Sequence, residues 1–187
     1  MKSLLRDIFI PIILAIVIFF SLHTILPNYV VVSSSMEPSL QAGQHLLINR
    51  AVYHFHEPER GDIIAFYPNG NRKAVPFIKR IIGLPGESVE IKQGKVYIHK
   101  ENGSVLPLDE PYIKESPNHD FKGNTIPKNE YFVLGDNRNN SNDSRNGWMV
   151  KRRDIIGKAW LRIWPLGEWG TVVNYPLDEQ LTSAAGE

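Results

Sequence analysis

The segment VEIKQGKVYIH at residues 89–99 decides the fold class of this chain. Apolar and polar residues alternate on both sides of Gln93-Gly94, which is the pattern of two antiparallel strands joined by a tight turn. Other short runs are rich in Val, Ile, Leu and aromatic residues, and they lie at residues 30–33, 45–50, 63–66, 77–82, 131–134 and 155–163. Helical periodicity is scarce between residues 28 and 175. The sequence therefore predicts a mainly β domain of coiled antiparallel sheets or a barrel.

Two segments depart from this strand pattern. Residues 101–130 contain six Gly or Pro residues and little periodicity, so we expect an irregular, loop-rich insertion in the β domain. Residues 176–187 are polar, small and poor in core-forming side chains. We expect a flexible tail there.

A 19-residue segment at positions 8–26 contains no Asp, Glu, Lys or Arg. A helix rises about 1.5 Å per residue, so a helix of this length spans roughly the ~30 Å core of a bilayer. We predict a transmembrane helix over residues 8–27, preceded by a short stub at residues 1–7. A cleaved signal peptide is the alternative, because Ser33-Ser34-Ser35 resembles a small-x-small cleavage site, but the apolar run exceeds the usual length of about 7 to 15 residues.

The distribution of basic residues predicts the orientation of this helix. Lys2 and Arg6 precede the apolar segment, and the next Lys or Arg is Arg50. Basic residues flank transmembrane helices on the cytoplasmic side. We therefore expect a cytoplasmic N-terminus and an extracytoplasmic domain at residues 28–175.

Composition excludes several classes of function. Lys and Arg number 21 against 20 Asp and Glu, so the chain lacks the basic field that general nucleic-acid binding requires. The absence of cysteine excludes disulfides, thiolate metal sites and a Cys nucleophile. His54 and His56 alternate without a third ligand nearby, so we predict neither a metal nor another cofactor.

The four tryptophans are Trp148, Trp160, Trp164 and Trp169. Because tryptophan contributes a large apolar area, we expect most of them in the core. One or two are candidates for contact with the headgroup layer of a membrane, where an indole is apolar in body and polar at one edge.

Chemically capable side chains concentrate in three clusters, at residues 33–38, 77–83 and 135–145. Common signatures such as G-x-S-x-G, S-x-x-K, H-E-x-x-H and the Walker loop are missing from the sequence. Within the second cluster, alternation sends Lys79 and Arg80 to opposite faces of a strand, so one of the two must face inward or lie at an edge. A desolvated lysine loses affinity for its proton and serves as a general base near neutral pH. The alternative is an exposed lysine at a sheet edge.

These clusters closely resemble the conserved boxes of bacterial type I signal peptidase, a membrane-bound serine endopeptidase. The boxes read S-x-S-M-x-P, R-G-D-I, K-R-I-I-G-L-P-G and G-D-N-R-x-N-S-x-D-S-R, in this order behind the anchor. The resemblance implies a β fold of the signal peptidase and repressor-peptidase type. It also implies cleavage of exported precursors in the cytoplasmic membrane, near the export channel, after small residues at the first and third positions before the cut. The substrate is expected to bind as an added strand.

Residue by residue, the resemblance makes Ser35 the nucleophile and Lys79 its general base, a pair that operates without histidine. It assigns the oxyanion hole to the Ser33 hydroxyl and the Ser35 backbone N–H. Two positions depart from the common pattern. Ser34 stands where many relatives have Gly, and Asn139 stands where Asp is common.

The third cluster supplies the supporting residues that the resemblance implies. Ser141 matches the serine that orients the lysine amine. Asp143 and Arg145 match an ion pair beside the site, and Asp136 and Arg138 are expected to be structural. Two rival interpretations are a self-cleaving regulator of the repressor type, against which the anchor argues, and a membrane-tethered β module without activity.

Overall fold

The computed structural model describes residues 2–175 and 177. Within these residues there are two α-helices, α1 at Lys2–Ile25 and α2 at Val52–Phe55. The strands are β1 Asn28–Val30, β2 His45–Asn49, β3 Ile63–Phe66, β4 Phe77–Gly83, β5 Ser88–Lys92, β6 Lys95–His99, β7 Val105–Pro107, β8 Phe121–Lys122, β9 Glu130–Leu134, β10 Val150–Lys151, β11 Ile155–Trp164 and β12 Gly170–Thr171.

The strands form two antiparallel sheets. An eight-stranded sheet has the order β1-β2-β11-β3-β4-β9-β10, with β12 paired to β11, and a four-stranded sheet has the order β7-β6-β5-β8. Register shifts occur within the pairings of β11 with β2 and β3 and of β4 with β9. Irregularities of this kind increase the local twist and curl a sheet. The prediction of a mainly β, coiled antiparallel domain is confirmed.

The hairpin that set the fold class is confirmed as β5 and β6. Glu90 pairs with Tyr97 and Ile91 with Val96. The two turn residues, Gln93 and Gly94, have φ angles of 51° and 73°. Two positive φ values in a two-residue loop are the signature of a turn whose twist matches that of the strands.

The insertion at 101–130 extends this hairpin. Strands β7 and β8 both lie within it and pair with β6 and β5 respectively. Of the predicted tail, Leu177 is buried in the core of the smaller sheet. Residues 176 and 178–187 of that predicted tail lie outside the described residues.

Apolar side chains cover both faces of the large sheet at its centre. In β3, Ile63 belongs to one core cluster and its neighbour Ile64 to another. In β4, Ile81 and Ile82 are likewise buried in different clusters. A strand that is buried on both faces can hold two adjacent polar residues out of solvent, one on each side.

Helix α1 is long and apolar enough to cross a membrane. Its C-terminal end joins the β domain through backbone hydrogen bonds with β2 and the residue after it. The Arg50 N–H donates to the Ile25 carbonyl at 3.0 Å, and the Ile48 N–H donates to the Pro27 carbonyl at 3.0 Å.

The prediction that most tryptophans are buried is wrong. Trp160, Trp164 and Trp169 are 45%, 52% and 67% exposed. All three lie on β11 or in the loop that follows it. Only Trp148 packs inward, with its ring 6.0 Å from that of Phe66.

Candidate active site

Ser35 lies on a single 3-10 turn, Ser34–Met36, between β1 and β2. The next residue, Met36, is buried, and its carbonyl accepts a hydrogen bond from the N–H of the buried Leu40 at 2.9 Å. These two apolar side chains fix the turn to the core beneath it. The Ser35 side chain is therefore held in place with 7% of its surface exposed.

Strand β4 brings Lys79 against this turn. The Lys79 Nζ lies 2.6 Å from the Ser35 Oγ and donates to the Ile78 carbonyl at 3.0 Å. Burial lowers the pKa of Lys79 from 10.5 to about 8, although the negative charges of Asp143 and Asp136 oppose this shift. An amine at this distance and with this pKa has the geometry and the proton affinity of a general base for the hydroxyl.

Lys79 and Arg80 point to opposite faces of β4, as the sequence predicts. Both residues are buried, whereas the alternation required only one of them to face inward or lie at an edge. Arg80 is completely inaccessible, and its Nε and Nη2 donate to the two carboxylate oxygens of Asp136 at 2.9 and 2.7 Å. Its guanidinium lies 4.1 Å from the centre of the Tyr112 ring. The structural role expected for Asp136 is thus to neutralise the cation adjacent to Lys79.

A cleft of about 460 Å³ opens beside Ser35 and Lys79. Its walls include residues 30–32 and 75–78, which are mostly apolar, and Ser33 lies at its edge. The Ser33 Oγ is 3.2 Å from the Ser35 Oγ. The three residues expected at the reaction centre therefore meet at one cleft, and two of its walls are short extended segments.

The loop that carries the third cluster holds the Ser35 turn in position. The Asn137 backbone N–H donates to the Ser35 carbonyl at 3.0 Å, and its Nδ2 donates to the Ser34 carbonyl at 3.1 Å. The Asn140 Nδ2 lies 3.3 Å from the Ser34 Oγ. Sequence reasoning missed both asparagines, although they stand inside a cluster that it had singled out.

Asp143 and Arg145 form the expected ion pair. Arg145 donates through Nε at 2.8 Å and through Nη2 at 2.9 Å to the two carboxylate oxygens of the fully buried Asp143. Asp143 also accepts the Gly135 backbone N–H at 3.1 Å. The pair thus connects the start and the end of the loop.

Arg138 has a partner that the sequence did not indicate. It donates to both carboxylate oxygens of Glu110 at 2.6 and 2.5 Å and to the Gly135 carbonyl at 3.1 Å. Glu110 belongs to the insertion at 101–130. The insertion is therefore joined to the loop by this ion pair.

Gly135 and Ser141 pack tightly within the loop. A Cβ atom on Gly135 would lie closer than 3.0 Å to both the Ser141 Oγ and the Ser35 carbonyl oxygen. Within residues 2–175 and 177, the Ser141 hydroxyl is buried without a hydrogen-bond partner. The structure thus gives Ser141 no bond to Lys79.

Comparison with known proteins identifies the family. A sequence profile described as "Signal peptidase, peptidase S26" matches residues 2–164. This chain belongs to the signal peptidase family. "Probable signal peptidase I-2" of Synechocystis sp. is 44% identical over 146 residues, which cover 76% of this chain and 65% of that protein. "Signal peptidase I P" of Bacillus subtilis subsp. natto is 34% identical over 177 residues, which cover 88% of this chain and 92% of the other.

Two further signal peptidases have comparable sequence identity to this chain. "Signal peptidase IB" of Staphylococcus aureus is 35% identical over 188 residues and is covered to 94% of its length. A crystal structure of a signal peptidase I from Enterococcus faecalis is 37% identical, with a TM-score of 0.46, and the match covers 55% of this chain and 97% of that one. The matching profile and the sequence identity to the relatives confirm the resemblance seen in the sequence boxes.

Proposed function

We propose that this signal peptidase family member is a membrane-anchored serine endopeptidase that removes N-terminal signal peptides from exported precursors. The observation that carries the proposal is the 2.6 Å contact between the Lys79 amine and the Ser35 hydroxyl at the floor of a cleft. Membership of the family and the apolar helix α1 support the same function.

In the proposed reaction, neutral Lys79 accepts the hydroxyl proton while the Ser35 Oγ attacks the scissile carbonyl carbon. The resulting oxyanion would accept hydrogen bonds from the Ser33 hydroxyl, whose oxygen lies 3.2 Å from the Ser35 Oγ, and from the Ser35 backbone N–H. The Lys79 ammonium then gives its proton to the departing amine, and an ester to Ser35 remains. Water, deprotonated by Lys79, hydrolyses that ester and releases the signal peptide.

The supporting residues act through Lys79 and the Ser35 turn. Asp143 is neutralised by Arg145, which limits the extent to which its charge raises the pKa of Lys79. Ser141 is the proposed orienting hydroxyl, and a hydrogen bond to the amine would satisfy its unpaired oxygen. Without such a partner, the buried hydroxyl carries a desolvation cost.

The substrate is proposed to lie in the cleft as an added strand. Strand β1 is an edge strand of the large sheet, and the following residues 31 and 32 line the cleft opposite residues 75–78. Extended segments on both sides offer backbone groups to a peptide, and the alternation of its side chains then selects alternate positions. Small residues at the first and third positions before the cut fit this arrangement.

The proposed location follows from α1. Residues 8–27 would span the cytoplasmic membrane, with residues 1–7 in the cytoplasm and residues 28–175 outside it, near the export channel. Nine extended residues between Leu26 and Ser35 reach at most ~30 Å, so the reaction centre would lie close to the lipid surface. The exposed Trp160, Trp164 and Trp169 supply side chains that suit contact with lipid headgroups.

The decisive experiment incubates the purified full chain with a precursor protein in detergent or lipid and sequences the new N-terminus. We expect one cut after a small residue, and we expect Ser35→Ala and Lys79→Ala to abolish it. Absence of cleavage by the wild-type chain would contradict the enzyme. Cleavage that survives Lys79→Ala would contradict the pairing with Ser35, and a function that persists in both variants would favour a membrane-tethered binding module.

A further inference from the structure

A second cavity lies beside the candidate active site and has a different chemical character. It encloses about 310 Å³, and its walls include Glu37, Gln41, Lys114, Glu115 and Asn137. Apart from its serines, two asparagines and Lys79, the first cleft is bounded by apolar side chains, whereas the second is bounded mainly by charged and amide side chains.

The second cavity begins within two residues of Ser35. Glu37 follows Ser35 by two positions, so their Cα atoms are separated by at most ~7 Å. Asn137, which lines the cavity, also holds the Ser34 and Ser35 carbonyls through its side chain and backbone. The same loop contributes Asn140 to the first cleft. The two cavities therefore flank the Ser35 turn and are separated by this loop.

Some charged side chains that line the cavity have an ion-pair partner, and others do not. Asp136 is paired with Arg80, and Arg138 is paired with Glu110. Within the part of the chain that the structure describes, the side chains of Glu37 and Lys114 have no hydrogen bond or ion pair. Glu115 has only the Asn139 amide, at 3.5 Å. Two carboxylates and one ammonium therefore remain to interact with a ligand.

We infer that the second cavity receives the first residues after the scissile bond, and that Glu37 makes it favour a basic over an acidic side chain there. This inference rests on the proposed function. An endopeptidase must accommodate chain on both sides of the cut, and the apolar first cleft suits the end of a signal peptide. The polar second cavity suits the start of a mature exported protein, whose residues are destined for water.

The test compares peptide substrates that share Ala at the first and third positions before the cut and carry Lys, Gln or Glu at the second position after it. We expect the wild-type chain to cleave the Lys peptide with a higher kcat/KM than the Glu peptide. For partly exposed charges the ratio is expected to be about 3- to 10-fold at low ionic strength. It should shrink as salt is added, because exposed charges are screened.

Three variants separate the inference from general effects on folding. Glu37→Gln should bring the Lys-to-Glu ratio close to one, whereas Lys114→Gln should increase it, because the carboxylates are then unopposed. Lys128→Gln, an exposed residue that lines neither cavity, is the matched control and should leave the ratio unchanged. A ratio that does not respond to Glu37→Gln, while Ser35-dependent cleavage persists, would overturn the inference. Failure of all peptides to be cut would instead contradict the proposed function.

Discussion

The Lys79 Nζ and the Ser35 Oγ are 2.6 Å apart at a position where the pKa of the amine is lowered to about 8. The short distance places the Lys79 amine at the Ser35 hydroxyl, and burial makes a large fraction of that amine neutral under mildly alkaline conditions. The short distance and the lowered pKa both suit proton transfer from the Ser35 Oγ to the Lys79 Nζ.

The pH dependence of cleavage follows from this pair. Because only the neutral amine accepts a proton, kcat/KM should fall about tenfold per pH unit below an apparent pKa near 8 and level off above it. Initial rates on one peptide between pH 6 and 10, with stability checked at each value, measure this limb. A rate that stays flat down to pH 6 would exclude Lys79 as the base.

Replacing the buried amine should stabilise the fold at neutral pH. The folded-state pKa lies below the unfolded value, so the unfolded chain binds more protons between pH 8 and 10.5. The wild-type free energy of unfolding should therefore rise through that window and carry the full penalty below it. The pKa difference corresponds to about 3 kcal/mol, and loss of the two hydrogen bonds to Ser35 and to the Ile78 carbonyl offsets about 1 to 2 kcal/mol of it, so Lys79→Met should gain about 1 to 2 kcal/mol at pH 7.

Urea unfolding of the full chain in detergent at pH 7 and pH 10 measures this gain, which should nearly disappear at pH 10. The control is Lys92→Met on an exposed strand position, which should change stability by less than about 0.5 kcal/mol. If the Lys79→Met chain is less stable than wild type at pH 7, burial of the Lys79 amine does not destabilise the fold.

A methyl group at Gly135 should disable the site without exposing the core. The Cβ of Gly135→Ala would overlap the Ser141 Oγ and the Ser35 carbonyl oxygen, so the Ser35 turn and the loop must separate. Since displacements of about 1 Å cost catalysis on the order of a hundredfold, we expect kcat to fall by about that factor. Gly167→Ala, where an added Cβ meets nothing within 4 Å, is the matched control. Equal kcat for both variants would contradict this account.

The buried pair of Arg80 and Asp136 should be costly to break. Asp136→Asn leaves the inaccessible Arg80 guanidinium without its counter-charge, and we expect a loss of about 3 to 5 kcal/mol in the free energy of unfolding. Glu57→Gln removes an exposed partner of Arg152 and should cost less than about 1 kcal/mol. If the two losses are similar, Arg80 is compensated by groups other than Asp136.

The exposed tryptophans should report contact with lipid. In vesicles that contain brominated lipid, the fluorescence of the reconstituted chain should be quenched, and replacing Trp160, Trp164 or Trp169 with Phe should reduce the quenched fraction. Trp148→Phe should not reduce it, because that ring packs against Phe66 within the domain. A quenched fraction that depends only on Trp148 would place Trp160, Trp164 and Trp169 away from the membrane.

Local patterns allowed the sequence to predict most of the larger strands, because alternation and turn residues act over a few positions. The hairpin at Gln93-Gly94 is the clearest case. Strand β1 is displaced from the predicted residues 30–33 to Asn28–Val30, because the chain leaves the sheet to enter the Ser35 turn. Edge strands are constrained by one neighbour only, so tertiary context decides where they end.

Local sequence patterns could not predict which residues the site residues contact. Glu110 pairs with Arg138 across 28 positions, from a segment with almost no periodicity. Alternation placed Lys79 and Arg80 on opposite faces, but it carries no information about what covers each face. The expected burial of the tryptophans was inferred from residue type alone, which gives an average preference and does not specify that Trp160, Trp164 and Trp169 are 45%, 52% and 67% exposed in this fold.

Because Lys79 and Arg80 are adjacent on β4, the chemistry proposed for Ser35 requires the correct register of β4 against β3. Lys79 pairs with Ile64, and Arg80 pairs with Ile63. A slip of one residue in one direction would set the Arg80 guanidinium, which does not give up its proton in proteins, beside Ser35 and would place Ile81 against Asp136. A slip in the other direction would bring Lys79 to Asp136 and Ile78 to Ser35. In either register Ser35 would lose the amine beside it, so the chemistry proposed for this site depends on the pairing of β4 with β3.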